Sequence, residues 1–171
     1  MKINIKYNDE FSQDSSLEIR LKKYINNHFP IAYIISEFAP IYLVGGTIRD
    51  LICARRPKDM DFVVIGKEHF DEVLKILDDY NIELCLNKLG GYKFTYEDIE
   101  VDLWQAEDLF PSIQYNVDGL FFDLKTNSLL SLTFEDFIKN GLKLINPENN
   151  IENGRENKLK LFEEEYLNDC N

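Results

Sequence analysis

Apolar and polar positions at the start of the chain change their spacing from strand-like to helical. Residues 2–7 (KINIKY) alternate between the two classes, which predicts a short strand. Residues 17–28 repeat apolar side chains at helical spacing after two serines that could cap a helix. Residues 31–38 predict a second, buried helix, and Pro40 ends it. The first 38 residues are therefore predicted to be mainly helical.

The middle of the chain alternates strands with helices. Residues 41–46 (IYLVGG) predict a buried strand that runs into a glycine turn, and residues 47–56 have helical character. Residues 61–65 (DFVVI) predict a second buried strand, and residues 67–80 an amphipathic helix. Further strands are predicted over 82–86, 92–96, 99–104, within 113–124 and over 142–145, and further helices over 133–140 and 156–168.

This order predicts an α/β (α+β) fold with a mixed central sheet flanked by helices. A length of 171 residues suits one domain. We expect a single unit over 1–171, with an N-terminal helical extension (1–38), a core (39–147) and an acidic C-terminal helix (148–171).

Charge and composition restrict the function classes. The net charge is −12, with acid clustered near the end at residues 163–165 and at Asp169. A protein that holds nucleic acid by its phosphates needs a basic surface. Contact with nucleic acid would therefore have to be local, metal-mediated or supplied by a protein partner.

The remaining composition predicts a protein of the reducing cytoplasm. The three cysteines are widely spaced and odd in number, which does not suggest a disulfide framework or a zinc site. We expect no secretory signal in the first residues and no membrane contact, because no stretch approaches about 20 apolar residues.

Three aspartates carry the candidate chemistry. Asp59 and Asp61 are two apart at the start of a predicted strand, so their carboxylates share one face. Asp102 lies between two apolar residues on another predicted strand and faces away from them. Like charges on one face favour a divalent cation between them, and Mg²⁺ prefers carboxylate and phosphate oxygens. Three acids on adjacent strands could hold two metals, with Asp102 also placed to accept the proton of an attacking hydroxyl.

A glycine turn adds a candidate phosphate site. Gly45 and Gly46 follow a buried strand, where the backbone can turn tightly and approach a ligand. The next segment is predicted to be a helix, whose first N–H groups favour phosphate. Arg49 could reach a triphosphate or a ribose, and Asp50 could orient an arginine such as Arg49. Lys93 could touch phosphates or simply keep the surface charged.

Each of these features has a structural reading by itself. Gly-Gly after a strand is usually an ordinary turn, Asp-x-Asp is often a solvated strand edge, and Asp102 alone could be a surface residue. Their combination on a strand, turn, helix and strand is what predicts an active site.

The run LVGGTIRDLICARRPKDMDFVVIG (43–66) resembles the head domain of poly(A) polymerases and CCA-adding tRNA nucleotidyltransferases, LVGGxVRDxLLGRxxxDxDF, in the DNA polymerase β superfamily. The resemblance is carried by Gly45-Gly46, a spacer over 47–58 and the Asp-x-Asp pair. Arg56 stands at the position of the family arginine that precedes the acidic pair. It continues more weakly through LGGYKF (89–94), VDLW (101–104), NVDGL (116–120) and LKLINPENNIENGRENKLKLF (142–162).

The resemblance implies a nucleotidyltransferase that takes an NTP, ATP or CTP, with Mg²⁺ in a two-metal site, or Mn²⁺ in its place. It implies Asp59, Asp61 and Asp102 as catalytic and metal-binding residues. The implied nucleotide-binding residues are Gly45, Gly46, Arg49, Asp50, Arg56, Lys93 and Asp118.

The chain also departs from the family. Residues 112–114 (SIQ) stand where the family has Arg-Arg-Asp, and Asn157 and Lys160 replace an aspartate and an arginine. The family's helical neck, body and tail have no room here, so CCA addition by this chain alone is not expected.

Three functions remain open from the sequence. The first is transfer of a nucleotide to an RNA 3′ end. The second is transfer to a small molecule or a protein, as in toxins and modifying enzymes. The third is a nucleotide-binding module without catalysis, although three like charges without a metal would cost stability.

Overall fold

The computed structural model describes residues 1–12, 15–88, 90–147 and 154–169, which form one mixed seven-stranded sheet with helices. The strands are β1 (Ile41–Val44), β2 (Asp59–Ile65), β3 (Cys85–Leu86), β4 (Tyr92–Tyr96), β5 (Ile99–Ala106), β6 (Leu120–Asp123) and β7 (Ser128–Ser131). The helices are α1 (Leu17–His28), α2 (Ile31–Ser36), α3 (Gly46–Ile52), α4 (Lys67–Asp79), α5 (Phe134–Asn140) and α6 (Arg155–Asp169).

The sheet has the strand order β3-β4-β5-β2-β1-β6-β7. β2 and β5 pair in parallel, and the other neighbouring strands pair antiparallel. A parallel pair needs a crossover connection. Here α4 and the β3–β4 hairpin form it, so β2 and β5 lie side by side in the centre of the sheet although they are far apart in sequence.

The two faces of the sheet have different coverings. One face, which we call the helical face, carries the main core, in which residues of α1–α6 pack on alternate strand positions such as Leu43, Phe62 and Leu103. The opposite face, which we call the open face, carries a small second core around Val44, Val63 and Phe121. Leu109 and Ile113, from the segment between β5 and β6, complete its buried residues. Within the described residues, none of the six α-helices contributes to this second core.

The N-terminal region matches its prediction in the helices but not in the strand. α1 begins after Ser16, whose hydroxyl accepts a hydrogen bond from the N–H of Ile19. Residues 2–7 are not a strand, so that prediction is wrong. Ile3 and Ile5 pack against the main core without a partner strand, and the alternating pattern reflects this one-sided packing.

Two other predicted strands are shorter or absent. The strand over 82–86 is reduced to Cys85–Leu86. Residues 142–145 form only an isolated bridge between Leu144 and Tyr115, and hydrogen bonds to loop residues replace strand pairing there. The strand predicted within 113–124 is present as β6, after a 3-10 turn over Asn116–Asp118. β7 is a strand that the sequence did not predict.

The C-terminal helix is present as α6. Parts of the predicted 148–171 helix (148–153 and 170–171) lie outside the described residues, as does Leu89 of the LGGYKF segment. Among the described helices, none has both the length and the apolar character needed to cross a membrane.

Candidate active site

The candidate catalytic carboxylates lie on two neighbouring strands of the open face. In the parallel register of β2 and β5, Asp61 is directly opposite Asp102, and Asp59 is opposite Glu100. Met60, between the two aspartates of β2, is fully buried on the helical face. The alternation predicted from the sequence therefore places Asp59, Asp61 and Asp102 on one side of the sheet.

The three acids differ in burial and in electrostatic environment. Asp59 is exposed, whereas Asp61 and Asp102 are half-buried. Burial, and then the charges of Asp59 and Asp102, raise the pKa of Asp61 to about 7, although Arg49 lowers that pKa. Burial also raises the pKa of Asp102, against the lowering effect of Lys93. The carboxylates of Asp61 and Asp102 are therefore held in a place that disfavours their ionised form.

This donor set fits a divalent cation. Within the described ranges, no three His, Cys, Asp or Glu side chains already converge as a metal-binding group. However, the raised pKa values of Asp61 and Asp102 come partly from mutual repulsion among carboxylates, which a cation would relieve. Carboxylates are the ligands that Mg²⁺ and Mn²⁺ prefer. Asp59, Asp61 and Asp102 are therefore the residues that would hold the metal.

The glycine turn after β1 lies against Asp61. Gly45 has φ 76°, a conformation that side-chain-bearing residues rarely adopt, and a Cβ there would lie 3.2 Å from Oδ2 of Asp61. α3 begins at Gly46, and the Thr47 hydroxyl donates a hydrogen bond of 2.8 Å to the Asp59 carbonyl. The turn is thus fixed beside the acids and leaves a gap where a side chain would stand.

Two arginines meet one carboxylate next to this turn. Arg49 Nη1 lies 3.2 Å, and Arg155 Nη2 lies 2.7 Å, from Oδ1 of Asp118. The side chains of Arg49 and Asp118 are 8% and 9% exposed, and that of Arg155 is 27% exposed. Burial lowers the pKa of Arg49, while Asp118 acts to raise it. We call Arg49, Asp118 and Arg155 the arginine cluster.

The 3-10 turn over Asn116–Asp118 holds Asp118 in place. Its Oδ2 accepts a hydrogen bond of 3.0 Å from the N–H of Tyr115. The fully buried Asn116 donates to Asp136 and accepts from the N–H of Lys143. Gly119 follows, and a Cβ at this position would collide with Thr133. The resemblance implied Asp118 as a nucleotide-binding residue; the structure shows a carboxylate engaged by two arginines.

Asp50 belongs to a second set of ion pairs. Asp50 contacts an arginine, but the ion pair in the structure is with Nε of Arg55, 3.5 Å from Asp50 Oδ1. Arg55 also contacts Glu165 of α6 at 2.7 Å, and Glu165 contacts Lys6 at 2.9 Å. Asp50 therefore connects α3 to α6 through Arg55.

Arg56 and Lys93 lie at the margin of the site. Arg56 is exposed and lines a cavity of about 390 Å³ beside α1, together with Tyr24. Lys93 is the cross-strand neighbour of Asp102, but it pairs with Glu100 at 3.3 Å. Trp104 packs partly into the second core. The structure does not bring Arg56 into contact with the acids.

The comparison with known proteins agrees with this geometry. Residues 41–101 match the model of the family described as "Poly A polymerase head domain", a segment that includes the glycine turn, Asp59 and Asp61 and ends just before Asp102. The resemblance to the poly(A) polymerase head is confirmed. No curated protein matches this sequence.

Solved structures show the same fold. A CCA-adding enzyme in complex with ATP is 16% identical, with a TM-score of 0.54, and the match covers 72% of this chain and 36% of that one. A CCA-adding enzyme with CTP is 17% identical, with a TM-score of 0.51 and coverage of 72% and 35%. A Thermotoga maritima CCA-adding enzyme in complex with tRNA is 17% identical, with a TM-score of 0.56 and coverage of 85% and 46%.

These likenesses confirm the predicted nucleotidyltransferase fold, a mixed sheet flanked by helices. The matched part of this chain spans between a third and a half of the length of those enzymes.

Two residues of the head-like site were missed by sequence reasoning. Arg155 reaches Asp118 from α6, and Arg55 reaches Asp50 and Glu165. Arg155 lies in the 142–162 stretch that resembles the family, two residues before Asn157. A positive residue at the start of the predicted helix was the available signal. Its partner, far away in sequence, could not be read from spacing.

Proposed function

We propose that this chain is a metal-dependent nucleotidyltransferase that transfers an NMP from an NTP to an acceptor hydroxyl. The observation that carries the proposal is the placement of Asp61 opposite Asp102, with Asp59 on the same face and the Gly45 turn against Asp61. This geometry puts a cation-binding set of acids beside a turn that can approach phosphate.

The three acids would divide the chemistry between them. Asp59 and Asp61 would hold the metals, and Asp102 would complete one metal site. When bound, Mg²⁺ lowers the pKa of a hydroxyl and neutralises phosphate charge. Asp102, with its pKa raised by burial, is suited to accept the proton of the acceptor hydroxyl. The hydroxyl oxygen then attacks the α-phosphorus, and pyrophosphate leaves on the opposite side.

The triphosphate would lie along the glycine turn. Gly45 and Gly46 leave room for close approach of phosphate to the backbone, and Arg49 is the nearest cation from α3. The solved structures similar in fold are described as complexes with ATP and with CTP, which supports an NTP substrate. Asp59, Asp61 and Asp102 have the ligand chemistry that an NTP–Mg²⁺ complex requires.

The proposed acceptor is the 3′ end of an RNA resembling tRNA. A neighbour of the same fold is described as a complex with tRNA, which supports a role in RNA processing. The proposed location is the cytoplasm, from the cysteine pattern of the sequence. A net charge of −12 leaves little general attraction for RNA, so a protein partner would supply the RNA-binding surface. The same charge favours a second candidate, transfer to a small molecule or to a protein hydroxyl.

The test is a transfer assay with the purified protein, Mg²⁺, each labelled NTP in turn, and total cellular RNA. Asp59→Asn is the inactivating variant. Asp79→Asn, which removes the same charge from the exposed end of α4, is the matched control. The proposal expects label in RNA with the wild type and with Asp79→Asn, but not with Asp59→Asn.

Other outcomes separate the candidates. Label in a small molecule or a protein, sensitive to Asp59→Asn, would replace the RNA acceptor with the second candidate. Transfer that survives Asp59→Asn would contradict the assignment of the acids. Absence of transfer to every acceptor, with no effect of Mg²⁺ or Mn²⁺ plus NTP on thermal stability, would support a non-catalytic module.

A further inference from the structure

The arginine cluster places two cations on one carboxylate at the edge of the candidate site. Arg49 comes from α3 and Arg155 from the first turn of α6, and both contact the same oxygen of Asp118. Arg49 and Arg155 also both oppose the rise in the pKa of Asp61 that burial and the other carboxylates cause. The cluster is thus within electrostatic reach of the acids.

The hydrogen-bonding capacity of the two arginines exceeds what Asp118 provides. A guanidinium has five N–H donors, and a carboxylate accepts about four hydrogen bonds. One oxygen of Asp118 already accepts a hydrogen bond from the N–H of Tyr115. Nε of Arg155 is buried and has no hydrogen-bond partner among the described residues. The cluster therefore has donors left over for a second anion.

We propose that Arg49 and Arg155 form a polyphosphate-binding subsite, and that Asp118 is an internal anion that competes with the ligand for these arginines. Asp118 takes the place of a phosphate group while the subsite is free. A bound polyphosphate draws both guanidinium groups away from the carboxylate. Arg155 is thereby a ligand-binding residue supplied by α6, and Asp118 tunes affinity without touching the ligand.

The charges decide whether removal of Asp118 strengthens or weakens ligand binding. A phosphate group beside Asp118 meets like charge, so Asp118 cannot itself attract the ligand. Charge-assisted hydrogen bonds from an arginine to a carboxylate and to a phosphate are similar in strength, and the two anions compete for the same donors. If Asp118 only positioned the arginines, its removal would weaken binding. If it competes with the ligand, its removal strengthens binding.

The identification of the ligand as the triphosphate of an NTP rests on the proposed function, but the test does not need catalysis. The probe is inorganic tripolyphosphate in EDTA at low ionic strength, measured by calorimetry. Without metal or nucleoside, binding reports on the cations alone. The variants are Asp118→Asn, Arg155→Gln and both together. Lys75→Gln, which removes a cation from an exposed position on α4, is the control.

We expect Asp118→Asn to bind tripolyphosphate about 3- to 10-fold more tightly than the wild type, and Arg155→Gln about 10-fold more weakly. In the double variant the gain from Asp118→Asn should largely disappear, because the two residues act on each other. Lys75→Gln should shift affinity by less than about 2-fold.

Weaker binding by Asp118→Asn would overturn the competition and leave Asp118 as a positioning residue. Equal binding by Arg155→Gln and Lys75→Gln, or no binding by either the wild type or Asp118→Asn, would overturn the subsite. Should Arg155→Gln fail to fold, Arg155→Lys, which keeps the charge but loses the guanidinium fork, is expected to bind about 3-fold more weakly than the wild type. Loss of NMP transfer in the separate assay would refute the enzyme and leave these binding results unchanged.

Discussion

The two faces of the sheet use the same strands for different purposes. On the helical face, Met60 and Phe62 are fully buried in a core shared with all six described helices. On the open face, Asp59 and Asp61 from the same strand stand among other carboxylates. Neighbouring residues of β2 therefore have opposite effects: the apolar residues stabilise the fold, and the aspartates that alternate with them destabilise it.

This division explains how a small protein can carry a destabilised site. Like charges held close together raise the free energy of the folded state. The helical face offsets that cost by burying large apolar side chains, including a cluster of three aromatic rings formed by Phe137, Phe162 and Tyr166. Substitutions on the open face should therefore change activity, and those on the helical face should change stability.

The largest effect is expected on the open face. Asp61→Asn should lower NMP transfer by about 1,000-fold or more, because it removes a central oxygen ligand of the proposed metal site. The rate of label transfer under saturating NTP measures it. The melting temperature should not fall, since an amide replaces a half-buried charge. A variant with more than a tenth of the wild-type rate would contradict the role of Asp61.

The next effect is expected one residue further along the strand. Phe62→Ala should lower the free energy of unfolding by about 3–5 kcal/mol, because it leaves a cavity in the main core beside Phe29. Urea denaturation followed by circular dichroism measures it. Phe62→Leu, which keeps most of the apolar volume, should cost clearly less. A loss below about 1 kcal/mol for Phe62→Ala would show that the helical face does not carry the stability.

The pH dependence of stability should distinguish the faces without any loss of packing. The pKa of Asp61 is about 7 in the folded protein against an ordinary value of 3.8. Between these values the folded state keeps a proton that the unfolded state releases, so stability falls as pH rises and levels off above about pH 7. In EDTA, Asp61→Asn should reduce this fall by about 1–3 kcal/mol, allowing for partial exposure of the group.

The measurement is urea denaturation of the wild type and Asp61→Asn at several pH values from 5 to 8. Asp102 and Asp50 also have raised pKa values, and they contribute a fall of the same sign in both proteins. The difference between the two curves therefore isolates Asp61. Parallel curves would mean that burial and repulsion at Asp61 are weaker than its position indicates.

The smallest effect concerns the docking of α6. Glu165→Gln should lower the free energy of unfolding by about 0.5–1.5 kcal/mol, because it weakens a partly buried contact to Lys6 and an exposed contact to Arg55. Thermal unfolding at low and high salt measures it, and the effect should shrink with salt. Glu164→Gln, on an exposed neighbouring position, is the matched control. Equal effects of the two variants would argue against a specific role for Glu165.

The carboxylates of the open face could be predicted because the sequence signals for them are local. Strand periodicity places Asp59 and Asp61 on one side whatever the rest of the fold does, and the glycine turn is visible as two adjacent letters. The same reasoning failed at residues 2–7, where Ile3 and Ile5 alternate correctly but pack against the core without a neighbouring strand. Periodicity reports which side is buried and cannot report whether a partner strand exists.

The arginine cluster could not be predicted because it joins three distant segments. Arg49 and Asp118 were candidates one by one, but their contact with each other and with Arg155 depends on how α3, the 3-10 turn and α6 pack. The same holds for Arg55, whose partners lie both close by in sequence and far away on α6. β7 was missed because four residues are too short for a reliable alternation.

The parallel pairing of β2 and β5 has a consequence for the order of folding. Pairing of these strands closes a long connection that contains α4 and the β3–β4 hairpin, and non-local pairing of this kind slows folding. Closing it also brings Asp61 up to Asp102, so electrostatic repulsion grows at the same step. Salt screens that repulsion, and the refolding rate of the metal-free chain should therefore rise with ionic strength.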